Sequence, residues 1–283
     1  MLKFEKYQGA GNDFVIFSEK DLIEKGIPDY SELAKEVCDR HYGIGADGMI
    51  ILKYVATMPF MFFFNADGSQ APMCGNGIRC FAHYLKNNGI QEEDTFTVKT
   101  LPGDMIIETK QGEDINDFVA KVNMGKPIFE IKELINTDKD RFLKEKITID
   151  GKEIEISYIF MGTDHSAIFV NDFEDFDIDK IGSKIENFTE LFPKRVNVNF
   201  VKVVDRKYIE VITWERGAGR TLACGTGATA SAVLAREFGF TDEKVNVKVP
   251  GGILVIEYAG EGNDAFMTGP SEKVAEGQYL FKR

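Results

Sequence analysis

The chain has 283 residues, 43% of them hydrophobic, and carries 46 acidic against 34 basic side chains for a formal net charge of −12. That length can bury a sizeable core, in one large domain or two of about 130 to 150 residues, while the acidic balance argues against nucleic acid or an anionic membrane as partner. The opening MLKFEKYQGAGNDF has no apolar run of signal-peptide length, and no window approaches the ~18 apolar residues of a membrane span. A soluble cytoplasmic protein is expected. The four cysteines Cys38, Cys74, Cys80 and Cys224 read as thiols rather than a disulfide framework. With His41, His83 and His165 scattered, no metal site is expected.

Taken in order, the chain alternates β-branched or aromatic runs with three helical patterns, Ser31 to His41, Gly77 to Asn87 and Gly227 to Glu237. Ser31 suits the first as an N-cap, and Cys38 and Cys80 fall on helical patterns as core residues. The run Phe60 to Phe64 reads as strand core, and Asp47 in GIGADG as a turn residue.

One unit is written twice. CGNGIRCFAHYLKNNG (Cys74 to Gly89) and CGTGATASAVLAREFG (Cys224 to Gly239) lie 150 residues apart and match in length. Asn65 precedes Cys74 by nine positions, as Glu215 precedes Cys224. GNDFVIF (Gly11 to Phe17) pairs with GTDHSAIF (Gly162 to Phe169), and LPGDMIIE with VPGGILVIE, near the same offset. The repeat predicts a mixed α/β fold (α+β) of two pseudo-symmetric halves, each with mixed strands around a central helix. The halves are 1–125, containing Cys74, and 126–270, containing Cys224, which leaves 271–283 to return to the first.

At each leading cysteine the flanking glycines, Gly75 and Gly77 or Gly225 and Gly227, expose backbone N–H groups at a helix start. Such a terminus attracts a carboxylate and lowers a thiol pKa. A single motif of this kind reads as a buried structural cysteine, but recurrence with the same glycines in both halves points to paired chemistry. One thiolate would remove an α-proton while the other thiol returns one to the opposite face, inverting an amino-acid substrate without a cofactor.

The stretches QGAGNDF, DRHYGIGADG, FNADGS, MCGNGIRC, RVNVNF, ERGAGRTLACGTGA, VPGG and MTGPSE resemble diaminopimelate epimerase over nearly the full length. The resemblance implies a diaminopimelate-epimerase-like fold, the two-cysteine mechanism, independence from pyridoxal phosphate and metals, and a homodimer. By its motifs Cys74 and Cys224 are the acid and base, and Gly75, Asn76, Gly225 and Thr226 bind the reacting carboxylate through backbone N–H groups. Asn12, Asn65, Asn197, Glu215 and Arg216 surround the amino group and distal end, and His165 lies near the site as a substrate contact or a packed histidine.

Two departures stand out. The family's Gly-Asn-Pro-His reads Gly162-Thr163-Asp164-His165, and Arg220 follows ERGAG where an acid is usual. Thr163 offers one hydroxyl in place of the planar amide that grips the distal end of diaminopimelate in the family, and Asp164 adds a charge suited to a basic or donating side chain. The expectation from these residues is a racemase that prefers another amino acid, such as histidine. The alternatives are epimerisation of diaminopimelate itself and, from a different class, a catalytically silent amino-acid-binding protein, against which both retained cysteines argue.

Overall fold

The apolar runs of the first half fold as short strands joined through two surface helices and one buried helix: β1 (Leu2–Gly9), β2 (Asn12–Ser18), α1 (Glu19–Glu24), α2 (Tyr30–Cys38), β3 (Gly48–Val55), β4 (Met58–Asn65), β5 (Gln70–Ala71), α3 (Gly75–Asn87), β6 (Thr95–Lys99), β7 (Asp104–Gln111) and β8 (Phe118–Gly125). The structure, a computed structural model, describes residues 1–281. Its contacts divide the chain into Met1–Val122 together with the stretch from Thr268 onward, and Asn123–Met267.

In the first unit β1 pairs antiparallel with β2, β2 parallel with β3, and β3 antiparallel with β4. The chain then passes through α3 to β6, which lies parallel to β4 and antiparallel to β7. α2 starts one residue before Ser31, because Asp29 caps it by accepting from the amides of Ser31 (2.8 Å) and Glu32 (3.1 Å). The Ser31 hydroxyl instead donates to the Gly68 carbonyl. The helix ends at Cys38 rather than His41, where the Asp39 carboxylate takes the amides of His41 and Tyr42 and turns the chain. α1 has no long apolar period and was not visible in the sequence. From Gly75 to Leu85 every residue of α3 is buried, as expected of a helix with strands on all sides.

The second unit repeats this plan. Its elements are β9 (Glu145–Ile149), β10 (Lys152–Phe160), β11 (Asp164–Val170), α4 (Ile178–Glu186), β12 (Asn197–Asp205), β13 (Tyr208–Glu215), β14 (Gly219–Arg220), α5 (Gly225–Glu237), β15 (Lys244–Val249), β16 (Gly252–Tyr258) and β17 (Ala265–Pro270). β10 to β13 pair antiparallel, parallel and antiparallel in turn; α5 follows, and β15 returns parallel to β13 and antiparallel to β16. This is the order found in the first unit. α4 packs on a core of Tyr158, Ile168, Phe192 and Phe200, with Gly182 against the Trp214 ring, 2.7 Å from where a Cβ would stand. A final strand, β18 (Glu272–Tyr279), pairs antiparallel with β1 and rejoins the first unit. Among the described residues no helix is long and apolar enough to cross a membrane.

His83 shows how tightly α3 is held. Its ring stacks on Phe118 at 4.1 Å and meets the edge of Tyr7. Nε2 donates to the Ile115 carbonyl at 2.8 Å, which leaves Nδ1 to accept from Ser271 at 3.3 Å. Burial pushes its pKa down to about 4, whereas the unfolded chain takes up this proton near pH 6.5. The stability gained by keeping the ring neutral is therefore complete above about pH 6.5 and lost as pH falls toward 4. The melting temperature should fall between pH 7 and pH 5, and His83→Gln should make that fall shallower; scanning calorimetry of both proteins checks this.

Candidate active site

Cys74 and Cys224 occupy equivalent places, each as the N-cap of its buried helix. The sulfur of Cys74 accepts the Gly77 amide at 3.4 Å, and that of Cys224 accepts the Gly227 amide at 3.3 Å. This is the position where a serine or aspartate oxygen normally satisfies an orphan N–H, so each sulfur sits in the field of a helix start. Both helices begin two residues earlier than the apolar period suggests, at Gly75 and Gly225. All four cysteines are thiols. Cys38 and Cys80 are buried away from any helix start, and burial pushes each pKa up to about 12.

In the first unit Asn12 lies at the start of β2 and accepts, through Oδ1, from Cys74 Sγ (3.8 Å) and from Asn76 Nδ2 (3.4 Å). Its own amide donates to Asp47 at 2.5 Å. Asp47 is thus more than a turn residue: it also accepts the Asp13 amide and pairs with Arg40. Asn76 is buried, and its oxygen accepts from Arg79 at 3.0 Å. Asn65 ends β4 and donates to Ser69 at 3.0 Å, closing the FNADGS turn.

In the second unit His165 is fully buried and neutral, its pKa pushed down to about 3 by burial and secondarily by Arg216. Its tautomer follows from Asn199. That amide oxygen accepts from Thr213 (2.9 Å), so its nitrogen donates to the Ser166 carbonyl and to His165 Nδ1 (3.2 Å). The ring proton is then on Nε2, which lies 2.9 Å from the Thr226 hydroxyl and 3.0 Å from that of Thr163. Thr226, accepting from His165, is left to donate to Cys224 Sγ at 3.4 Å. Asn197 donates to the Asp164 carbonyl and accepts the Arg216 amide, both at 2.9 Å, and Glu215 accepts from Thr221 at 2.6 Å.

The geometry at Asp164 corrects the expectation that it offers its charge to a substrate side chain. One oxygen accepts from Tyr158 OH at 2.6 Å and the other from Arg216 at 3.3 Å, in a side chain that is 9% exposed. Asp164 holds Arg216. Its counterpart in the first half, Asp13, likewise pairs with basic groups, Lys6 and Arg40. Thr163 is engaged by His165, and Arg220 pairs at 3.6 Å with Asp179 on α4. Sequence reasoning missed Asn199, Thr213 and Glu186. Asn199 was within reach, two residues after Asn197 on the same strand face, and Thr213 lies directly opposite it in register. Glu186 accepts from Trp214 Nε1 and the Gly217 amide and so carries the ERGAG loop from beneath. Among the described residues no cluster of three or more His, Cys, Asp or Glu side chains could hold a metal.

The model of the diaminopimelate epimerase family matches residues 4–130 and 157–274. The chain belongs to that family. It is 42% identical over 284 residues to the diaminopimelate epimerase of Caldanaerobacter subterraneus subsp. tengcongensis, covering 98% of this chain and 99% of the relative. With that of Acetivibrio thermocellus it shares 41% over 279 residues, 98% of each. A probable proline racemase from Agrobacterium radiobacter, covering 100% of this chain and 94% of its own, superposes with a TM-score of 0.71 at 14% identity, a likeness of fold alone. The protein is accordingly an isomerase of the cofactor-independent racemase and epimerase class. The preference for histidine drawn from Thr163 and Asp164 does not stand, because full-length relatives at this identity are diaminopimelate epimerases and Asp164 is spent on Tyr158 and Arg216.

The two glycines at the third helical position differ in what they make room for. A Cβ on Gly227 would stand 2.5 Å from Asn199 Oδ1 and 3.2 Å from Cys224 Sγ, whereas on Gly77 it would meet the flexible end of Met61 at 3.1 Å. Gly227→Ala should cost about 1–3 kcal/mol and displace the Asn199–His165 network, while Gly77→Ala should cost less. Denaturant melts of the two variants compare the costs.

Proposed function

We propose that this protein epimerises diaminopimelate, interconverting the L,L and meso forms by proton transfer between Cys74 and Cys224. The observation that carries the proposal is the duplicated N-cap: two sulfurs, each bonded to the third amide of a buried helix, on a chain whose full-length relatives are diaminopimelate epimerases. The thiolate takes the α-proton, the electron pair passes into the substrate carboxylate, and the opposite thiol delivers its proton to the other face. Epimerisation is complete with the two sulfurs in exchanged protonation states. The N–H groups of Gly75, Asn76, Gly225 and Thr226 hold the carboxylate as charge builds on it, a stabilisation strongest in the transition state. Thr226, donating to Cys224, supports Cys224 as the sulfur that starts as thiolate. Arg216, held by Asp164 and by the carbonyls of Lys194 and Arg195, takes the distal carboxylate with Asn65 and Asn197, and Glu215 faces an amino group. A cytoplasmic homodimer completes the reading; sedimentation equilibrium tests the dimer.

Incubation with L,L-diaminopimelate in D₂O should yield the meso form with deuterium at the inverted α-carbon, and histidine should gain none. Cys74→Ala and Cys224→Ala should each lower kcat by about 10³-fold or more, in the range of general acid–base contributions, with melting temperatures close to the parent protein. Undiminished turnover in either variant would end the two-cysteine mechanism.

A further inference from the structure

Two asparagine side chains separate Cys74 from groups whose hydrogen-bonding sense is fixed. An amide side chain donates from one end and accepts at the other, so a fixed neighbour decides which end points where. At one end of the chain is Arg79, a donor only. It is fully buried, with Nη1 3.1 Å from the Gly75 carbonyl and 3.0 Å from Asn76 Oδ1. Asn76 therefore turns its nitrogen toward Asn12. At the other end is Asp47, whose carboxylate is paired with Arg40 at 2.7 Å and takes the Asn12 amide at 2.5 Å. Both neighbours force the same outcome: Asn12 presents its oxygen to Cys74 Sγ. An oxygen acceptor there stabilises the thiol and disfavours the thiolate.

Asp47 is well built for this task. It is the last residue of the loop before β3, and its amide donates to both the carbonyl and the carboxylate of Asp13 on β2, each at 3.0 Å. Lys6 on β1 anchors the same loop through the Gly45 carbonyl at 2.6 Å. The second unit has the opposite sense, because His165 drives Thr226 to donate toward Cys224. At the place of Arg79 it carries Thr229, whose neutral hydroxyl satisfies the Gly225 carbonyl at 2.9 Å.

We propose that Asp47 is a positioning residue that turns the Asn12 carbonyl oxygen onto Cys74 and so keeps Cys74 the protonated member of the cysteine pair. The proposal rests on the two-cysteine reading and deepens it, by naming what distinguishes two otherwise equivalent sulfurs. On its own helix Cys74 has Arg79 nearby, and Lys6, Asp13, Arg40 and Asp47 form the ion-paired cluster behind Asn12; Cys80, with its pKa raised by burial, stays a thiol. Beside Cys224 in its own unit stands the Thr226 hydroxyl, with the neutral ring of His165 behind it.

The test is a titration of protein labelled with ¹³C at cysteine Cβ, with resonances assigned through Cys74→Ser and Cys224→Ser. In the parent protein Cys74 should ionise at least about one pH unit above Cys224, a tenfold difference in acidity. Asp47→Asn replaces the charged acceptor with an amide that can also donate, which leaves Asn76 alone to hold the Asn12 oxygen on the sulfur, and the Cys74 midpoint should fall by about one unit; Asp47→Glu should restore it. Asp13→Asn removes a carboxylate from the same cluster but leaves the Asn12–Asp47 bond, and should leave the Cys74 midpoint in place. Cys74 ionising at or below Cys224 in the parent protein overturns the proposal without any variant. So does an Asp13→Asn shift equal to that of Asp47→Asn, which would mean that charge alone is at work. The readout is ionisation rather than turnover, so it can fail while the two-cysteine mechanism stands, and that mechanism is sunk separately by turnover in Cys74→Ala.

Discussion

The bond between a helix amide and a cysteine sulfur, made once in each unit, organises what surrounds it. An N-cap acceptor is normally an oxygen, and a thiol is a weak substitute. A thiolate in the same place gains both the hydrogen bond and the helix field. The arrangement is thus poorly optimised for stability with neutral sulfur and well suited to sulfur that carries charge for part of each turnover. Everything close to the caps serves the approach: glycine at the third helical position leaves room for neighbouring strand side chains, and burial of most of α3 and α5 fixes the direction of the amides.

On this duplicated frame the polar side chains differ. In the first unit the groups nearest the cap are two asparagines held between an arginine and a carboxylate. In the second they are a neutral histidine and two threonines held by an asparagine. Backbone geometry is shared while hydrogen-bond direction is not, so chemistry that needs one acid and one base can arise from two copies of the same supersecondary plan.

Much of the fold was legible because glycines and cysteines mark turn and helix starts at a constant offset, and strands betray themselves by aromatic and β-branched runs. α1 was not, since six residues hold too few turns to establish a period against polar surroundings, and α4 was missed although its nine residues equal the length of α2. In the site, the cysteines and flanking glycines could be read from the repeat. Asp164 was misread because residue type tells what a side chain can bond and not which neighbour reaches it first. Tyr158 lies diagonally across the β10–β11 hairpin, where Phe160 is the residue opposite Asp164, and diagonal neighbours are within reach of a long side chain. Pairing across that hairpin makes the tyrosine a competitor for the carboxylate. Asp47 was undervalued for a similar reason, since its partner Asn12 is 35 residues away.

The pairing of β1 with β18, from Leu2 opposite Tyr279 to Gln8 opposite Glu272, has a consequence for how the molecule is made. All of Asn123–Met267 lies between the two strands in sequence, so this edge of the first unit stays open until β18 has been made. Asn123–Met267 is continuous in sequence and free of that wait. Meanwhile the open edge of β1 exposes unpaired backbone, a template for pairing with other chains, and closing so long a loop is slow. Its outward side chains include Lys3, and a charge of this kind, lysine above all, discourages a foreign strand from docking during the delay.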